Sequence, residues 1–198
     1  IAQPAGIVGH AHSPALAATA EQMREPLFSS PRLENNILWH NRSFSFVMDP
    51  NQDPPYVGLS PNLDAGEAPE YWDLAVLGSG NPDDSLNPQH SVLTDATGYD
   101  ATNHEGDPAF LGGYLNVGVP GITYPEAKTT LSVMPAFDEG GNFIDVRYGP
   151  LTLDGDYHIG SGSVALDSCP DAGVSVDFEG DLRPWNGGYD AGADEWMP

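Results

Sequence analysis

The feature that most constrains the fold of this chain is a succession of short β-prone bursts separated by Gly, Pro, Asn and Asp. Many bursts have three to five residues with an apolar side chain at every second position, which is the pattern of a half-buried strand. Because no recurring helix separates them, an alternating β–α architecture is disfavoured. The sequence therefore predicts an all-β protein: a sandwich, a barrel or a β-solenoid. The predicted strands lie in residues 35–41, 43–48, 72–77, 90–95, 108–117, 129–135, 142–149, 157–162 and 174–178.

Two details favour the solenoid. Asn35 and Asn36 precede an apolar triplet and Asn41 follows it, and Asn at the bends of stacked strands lets side-chain amides bond from one turn to the next. Residues 49–71 and 78–89 carry hardly any strand signal, and such uneven insertions suit a solenoid better than a meander of hairpins. No clean repeat of about 20–50 residues accompanies them, so the sandwich and the barrel stay open.

One short helix is predicted over residues 14–25. This segment is rich in helix formers, and Ser13 followed by Pro14 provides a start signal at the position where proline is tolerated. Pro26 would end the helix, because proline cannot continue the hydrogen-bond pattern.

The charge of the chain restricts its partners. Asp and Glu number 29 against 6 Lys and Arg, which gives a formal net charge of −23. Since binding to nucleic acid depends on cationic side chains, neither nucleic acid nor anionic lipid is an expected partner. No apolar run approaches the ~20 residues that span a bilayer. Cys169 is the single cysteine, so neither an internal disulfide nor a multi-cysteine zinc site is possible.

A long motif stands at the end of the chain. It comprises GSVALDS, residues 162–168, and DFEGDLRPWNGGYDAGADEW, residues 177–196. Together with GDPAF at 106–110 and LENNILWHN at 33–41, it resembles the C-terminal region of bacterial secreted right-handed parallel β-helix proteins of the choice-of-anchor Q-like type. Those proteins carry patterns like GSPAIDAG and DFDGxxRPxGxGxDIGAxE. The departures are Val164 for Pro, Ser168-Cys169 for Ala-Gly and Ala191 for Ile.

The resemblance implies the C-terminal portion of a right-handed parallel β-helix with long irregular loops. Residues 1–30 would form an N-terminal segment with the helix and an interface, residues 31–162 the β-helix rungs, and residues 163–198 a C-terminal cap. It also implies a location outside the cell or at the cell surface.

The residues of the closing motif are consistent with a cap. Asp177 and Gly180 suit a tight turn. Arg183 can fork onto Asp190 or Glu195 and hold the closing loop; a substrate-binding role for Arg183 is the alternative. Aromatic side chains can cover the apolar end of the last rung, which would otherwise expose an open strand edge. The predicted cap residues are Asp177, Arg183, Trp185, Asp190, Glu195 and Trp196.

One acidic loop is a candidate calcium site. Asp49, Asn51 and Asp53 alternate as in the first half of a calcium-binding loop. An EF-hand is excluded, because Pro54 and Ser60 stand where it needs Gly and Glu. A simpler loop site remains, and calcium is the cofactor that this acidic chain would hold there.

A second candidate metal site is His10-x-His12, near the start of the chain. Two imidazoles at this spacing can share a copper or zinc ion if a third ligand is added. The sequence does not specify which histidine would supply it. The candidates are His40, His90, His104 and His158.

The leading hypothesis is a non-catalytic structural or interaction module of a secreted or cell-surface β-helix protein. Residues 1–45 are expected to form an interface with upstream rungs or with another subunit, because their first twenty residues are mildly apolar and uncharged. Contacts that do not close would give a filament. One alternative is a polysaccharide-acting β-helix enzyme, a lyase or a glycoside hydrolase. The other is a processed subunit of a secreted metalloenzyme such as a copper oxidase. No catalytic residue is assigned.

Calcium should raise the melting temperature of this protein more than sodium does at equal ionic strength. Both ions screen the negative charge, but only a bound ion adds binding free energy to the folded state, about 2.7 kcal/mol at a hundredfold excess over its dissociation constant. Thermal melts followed by circular dichroism in CaCl₂ and in NaCl make the comparison. Equal increases would remove the case for a site at Asp49, Asn51 and Asp53.

Overall fold

The computed structural model describes residues 2–3, 6–49, 51, 56–65, 68–111, 156–185 and 187–198. The regular elements in this part of the chain are mostly strands, with one short helix, α1 (Pro14–Met23), which confirms the all-β prediction. The strands are β1 (Ala2–Gln3), β2 (Ile7–His10), β3 (Leu33–Glu34), β4 (Ile37–Leu38), β5 (Phe44–Asp49), β6 (Tyr56–Pro61), β7 (Leu74–Leu77), β8 (Pro88–Gln89), β9 (Val92–Leu93) and β10 (His104–Glu105).

The chain divides into two compact units made from interleaved segments. The first unit comprises Ile1–Gln3, Arg42–Glu70 and Gly113–Gly155. The second comprises Pro4–Asn41, Tyr71–Gly112 and Asp156–Pro198. Residues 31–162, predicted as one segment of rungs, contribute to both units. The predicted strands at 129–135 and 142–149 lie outside the described residues.

Helix α1 forms where the sequence predicts it. The Ser13 hydroxyl accepts the backbone N–H of Leu16 at 3.4 Å, and Pro14 occupies the first turn. The helix ends at Met23, two residues earlier than predicted, because Arg24 adopts a left-handed conformation with φ of 61°. Its N–H then bonds the carbonyls of the last turn, which is a common way to end a helix. No helix among the described residues has the length and apolar character needed to cross a membrane.

The first unit contains an antiparallel sheet with strand order β1-β5-β6. Strands β5 and β6 form a hairpin in which Phe44 lies opposite Pro61 and Asp49 opposite Tyr56. Beyond β6, Asn62 bonds the hydroxyls of Ser43 at 2.7 Å and Ser45 at 2.6 Å. Residues 49–71, which carry hardly any strand signal in the sequence, therefore contain a strand. Glycine and proline weaken the local signal of β6, and pairing with β5 compensates for it.

The second unit is built on parallel strand pairs. Strand β2 pairs with β7, strand β3 pairs with β8, and β4 and β10 flank β9. Every one of these pairings is parallel. Three consecutive strands, β2, β3 and β4, therefore pair in the same chain order with β7, β8 and β9. The register places Ile7 beside Leu74, Leu33 beside Pro88, and Val92 between Ile37 and His104.

Polar side chains connect the bends that precede β4, β9 and β10. Backbone N–H groups, rather than the expected pair of side-chain amides, make these contacts. Asn36 N–H donates to Ser91 Oγ at 3.1 Å, and Ser91 N–H donates to Asn103 Oδ1 at 3.0 Å. Asn41 instead bonds the Asp73 carboxylate, through its side-chain amide at 2.9 Å. Side chains of both Ser and Asn therefore link neighbouring bends and fix the register of the strands that follow them.

The core of the second unit has two clusters on opposite faces of the β4-β9-β10 sheet. Val92 and Leu93 are adjacent in β9 and fully buried, and adjacent strand residues point to opposite faces. Leu93 packs with Phe28, Leu33, Leu74 and Leu86. Val92 packs with Ile159, Ala165 and Ala191 of the C-terminal segment. The sheet is therefore covered on both faces by the same chain.

Candidate functional site

The C-terminal segment lies against one face of the β4-β9-β10 sheet. Gly192 N–H donates to the Asn35 carbonyl at 2.9 Å, and the Cys169 thiol bonds the His90 carbonyl at 2.9 Å. Asn35 precedes β4 and His90 precedes β9, so the segment contacts neighbouring strands of one sheet and not only the last strand. Gly192 has φ of 95°, and a Cβ there would come within 2.8 Å of Ile37. Glycine is therefore required at this contact.

Arg183 is the buried anchor of the closing motif. Its Nε donates to Glu195 Oε2 at 3.0 Å, and the side chains of the two residues are only 7% and 1% exposed. Nη1 donates to the Gly192 carbonyl at 3.1 Å, and Nη2 donates to the Asp190 carbonyl. The guanidinium fork therefore spans one carboxylate and two backbone carbonyls, where the sequence analysis expected a bidentate pair with one carboxylate.

The buried carboxylates of the motif are bonded mainly by backbone N–H groups. Glu195 Oε1 accepts Trp185 N–H at 2.6 Å. The two oxygens of Asp190 accept the N–H groups of Asp167 and Trp196, both at 2.7 Å. Burial nevertheless raises the pKa of Asp190 above its ordinary value. These bonds fix the path of the chain through the closing motif.

Asp177 forms the tight turn expected with Gly180. Its Oδ1 accepts the N–H groups of Glu179, Gly180 and Asp181, each at 2.9 Å, and Gly180 has φ of 98°. Burial raises the pKa of Asp177, but the backbone N–H donors outweigh it and the net shift is downward.

The two tryptophans predicted to cover the apolar end have different surroundings. Trp196 packs against the cluster that contains Val92 and Ala191. Trp185 is 46% exposed. Trp196 thus contributes to covering the sheet face, and Trp185 remains largely at the surface.

The His158 side chain bonds Asp156 and also Glu179 in the Asp177 turn. This contact was not predicted from the sequence. The His158 Nδ1 lies 2.5 Å from Asp156 Oδ1 and its Nε2 lies 2.8 Å from Glu179 Oε2. Hydrogen bonds to Glu179 and then Asp156 raise the pKa of His158 to about 9. The ring is therefore charged at neutral pH. Glu179 is 21 residues away in the chain, so no local pattern signals this contact.

Five aromatic rings form a continuous row, called here the aromatic row. The His40 ring stacks between Trp39 and Tyr71, with centroids at 3.7 and 4.2 Å. Trp39 lies 6.5 Å from Phe110, and Phe110 lies 6.4 Å from Tyr157 at an angle of 89°. Burial lowers the pKa of His40, although Asp73 and Asp107 oppose the shift. His40 is therefore a neutral ring in this row at neutral pH.

The aromatic row ends at a cleft of about 450 Å³. Phe110, Tyr157 and Phe178 supply aromatic walls, and Asn35, Asn36 and Asp194 supply polar groups. Asp194 Oδ2 accepts Ile159 N–H at 2.8 Å, and burial raises the pKa of Asp194. The cleft thus combines apolar surfaces with a few polar groups, which is the usual make-up of a small-ligand site.

The predicted metal ligands are not assembled into a centre in the described part of the chain. His10 ends β2 and is exposed, and His12 is half-buried. Asp49 ends β5, Asn51 is an exposed turn residue, and Asp53 lies outside the described residues. Among the residues that the structure describes, no three or more His, Cys, Asp or Glu side chains form a group that could hold a metal ion.

No family model, no curated protein and no solved structure matches this chain. Function is therefore inferred from the contacts of the chain itself.

Replacing Arg183 with Ala should lower the free energy of unfolding by about 2–4 kcal/mol and promote aggregation, because the change leaves a buried carboxylate without its cation. Urea unfolding measures the loss. Arg32→Ala is the matched control: Arg32 pairs with Glu34 but is 83% exposed, and such surface pairs contribute about 0–1 kcal/mol. A loss below about 0.5 kcal/mol for Arg183→Ala would mean that its pair acts as a surface contact.

The stabilisation by His158 should depend on pH. Its pKa rises from 6.5 to about 9 on folding, so the bonded cation stabilises the folded state fully below pH 6.5. The contribution is lost as pH rises through about 9. Melting temperatures of the wild type and His158→Gln should therefore differ at pH 6 and converge at pH 10. A constant difference, or an NMR titration of His158 near 6.5, would contradict the assignment.

Proposed function

We propose that this chain is a non-catalytic assembly module of a secreted or cell-surface protein, and that its second unit is a short stretch of right-handed parallel β-helix. The observation that carries the proposal is the order of the strand pairs. Strands β2, β3 and β4 pair in parallel with β7, β8 and β9. A chain that repeatedly returns to lie beside its earlier strands in the same order winds as a solenoid.

The matching bends support the same interpretation. Two residues separate β3 from β4, and two separate β8 from β9. The first residue of each bend is left-handed, with φ of 58° at Asn35 and 47° at His90. Asn tolerates this conformation better than most residues. A bend repeated at the same register position is expected when successive turns of a solenoid stack.

The strands of the proposed first turn have partly open edges. Within the described residues, β2 pairs only with β7 and β3 only with β8, although the end of β2 is covered, because the His10 carbonyl accepts Ser29 N–H at 2.9 Å. An unpaired strand edge offers N–H and C=O groups to another chain. Such an edge is where further rungs or a second subunit would add.

Exposed apolar side chains accompany these edges. Phe28 and Leu33 pack into the chain's own core. The interface expected within residues 1–45 is therefore formed by the apolar side chains of this segment that lie outside the core. Those side chains are Val8 at 39%, Leu16 at 51%, Met23 at 66% and Leu27 at 46% exposed. Helix α1 buries only Ala20, although a surface helix normally buries an apolar stripe. We therefore assign the interface to α1 and the segment that follows it.

The charge of −23 sets the conditions for assembly. Copies of so acidic a chain repel one another, and salt screens that repulsion. The apolar contact is much less sensitive to salt. Self-association should therefore strengthen as ionic strength rises from low to physiological values.

Sedimentation velocity at micromolar concentration tests the proposal. The wild type should sediment faster than its 21.0 kDa monomer at physiological salt. The double variant Leu16→Glu/Met23→Glu should sediment as a monomer, because it places two charges in the interface. The control Val174→Glu/Leu182→Glu adds the same charge at side chains that are 50% and 71% exposed, and it should still associate. A wild-type monomer at every salt concentration would refute the assembly role, and equal behaviour of the two double variants would refute the assignment of the interface to α1.

A further inference from the structure

We propose that the cleft at the end of the aromatic row binds a neutral carbohydrate chain. This inference rests on the cleft alone and is independent of the assembly role. It assigns a ligand class to Phe110, Tyr157, Phe178 and Asp194.

Aromatic side chains are held open to solvent in the cleft. Tyr157 is 47% and Phe178 is 53% exposed, whereas side chains of this size are normally buried well. The rings of Phe110 and Tyr157 meet at 89°, so they present two differently oriented surfaces. Sugar rings carry C–H groups on their faces, and these groups pack against the electron-rich face of an aromatic ring. The walls therefore suit stacked sugar rings.

The polar groups of the cleft are mainly acceptors. Asp194 is 5% exposed; its Oδ2 accepts Ile159 N–H at 2.8 Å, and its Oδ1 has no donor among the described residues. The Asn36 amide N–H donates to the Glu34 carbonyl at 3.0 Å, which leaves its Oδ1 as an acceptor. A ligand rich in hydroxyl donors complements such a wall.

The charges around the cleft disfavour ionic ligands. A net charge of −23 and the Asp194 carboxylate repel phosphorylated, sulfated or uronic ligands. Organic cations also bind aromatic rings, but the His158 ring lies 5.2 Å from Phe178. His158 is charged at neutral pH and is bonded to Asp156 and Glu179, so these two carboxylates already have a cation as partner. A neutral ligand with apolar faces and many hydroxyls satisfies all of these conditions.

The aromatic row extends the site beyond the cleft. Trp39 lies 6.5 Å from Phe110, and His40 and Tyr71 continue the row by stacking. Trp39 and Tyr71 are half-buried, so a linear chain that follows the row out of the cleft would meet their exposed parts. An oligosaccharide should therefore bind more tightly than its monosaccharide.

The cleft is equipped for binding and not for hydrolysis. Glycoside hydrolysis needs two carboxyl groups on opposite sides of the scissile bond. Among the described residues that line the cleft, Asp194 is the one carboxylate. We therefore expect the protein to bind the carbohydrate chain without cleaving it.

Isothermal titration calorimetry tests the proposal with neutral hexasaccharides of glucose, mannose, xylose and galactose, each at millimolar concentration. Hexagalacturonate and choline serve as the anionic and cationic probes. At least one neutral hexasaccharide should bind, and neither charged probe should. Binding of no neutral hexasaccharide, or tighter binding of a charged probe, would overturn the assignment.

Variants then locate the site. Tyr157→Ala and Phe178→Ala should each weaken binding about fivefold, the effect of losing one aromatic contact. Tyr157→Phe keeps the ring, so it should retain most of the affinity even if the Ala variants fold poorly. Trp185→Ala is the control, since Trp185 is 46% exposed but does not line the cleft. Equal losses for Trp185→Ala and the two cleft variants would place the ligand elsewhere. Loss of binding with Tyr157→Phe would contradict stacking of the ligand on the Tyr157 ring.

Discussion

The second unit depends on the burial of both faces of β9. Val92 and Leu93 are each 0% exposed, although the strand that carries them has only two residues. Leu93 joins the cluster beneath the parallel strands, and Val92 joins the cluster beneath the C-terminal segment. Two-residue strands offer few ladder hydrogen bonds, so the packing of these side chains, and not strand length, holds the sheet together.

The C-terminal segment shows how a very acidic chain buries carboxylates with almost no cations. Asp177, Asp190, Asp194 and Glu195 are all 9% exposed or less, and Arg183 is the one Lys or Arg side chain that the described structure pairs with them. Most of their bonds come from backbone N–H groups, which solvate a carboxylate without adding a side-chain charge. Backbone N–H groups in the turns of the closing motif thus stabilise these carboxylates in place of Lys and Arg side chains.

Local signals in the sequence predicted local structure well. Ser13, Pro14 and Pro26 located α1 because capping and proline effects act within one turn. The Asp177 turn was predicted for the same reason. Parallel pairing was expected from the solenoid interpretation, but the positions of most of the paired strands were not, because two-residue strands are too short to show a period of two. The contact between His158 and Glu179, and the meeting of Phe110 with Asp194 in the cleft, join residues far apart in the chain. Nothing local encodes such contacts.

The cleft and the closing motif share residues and hydrogen bonds. Asn35 N–H and C=O groups lie at the left-handed bend before β4, and the Asn35 carbonyl accepts Gly192 N–H. Gly192 in turn offers its carbonyl to Arg183. The residue that follows, Ala193, and then Asp194 line the cleft. The bonds that hold the C-terminal segment on the sheet therefore also position a wall of the cleft. A rigid, backbone-anchored wall orders few groups on binding, and this lowers the entropic cost of holding a flexible carbohydrate chain.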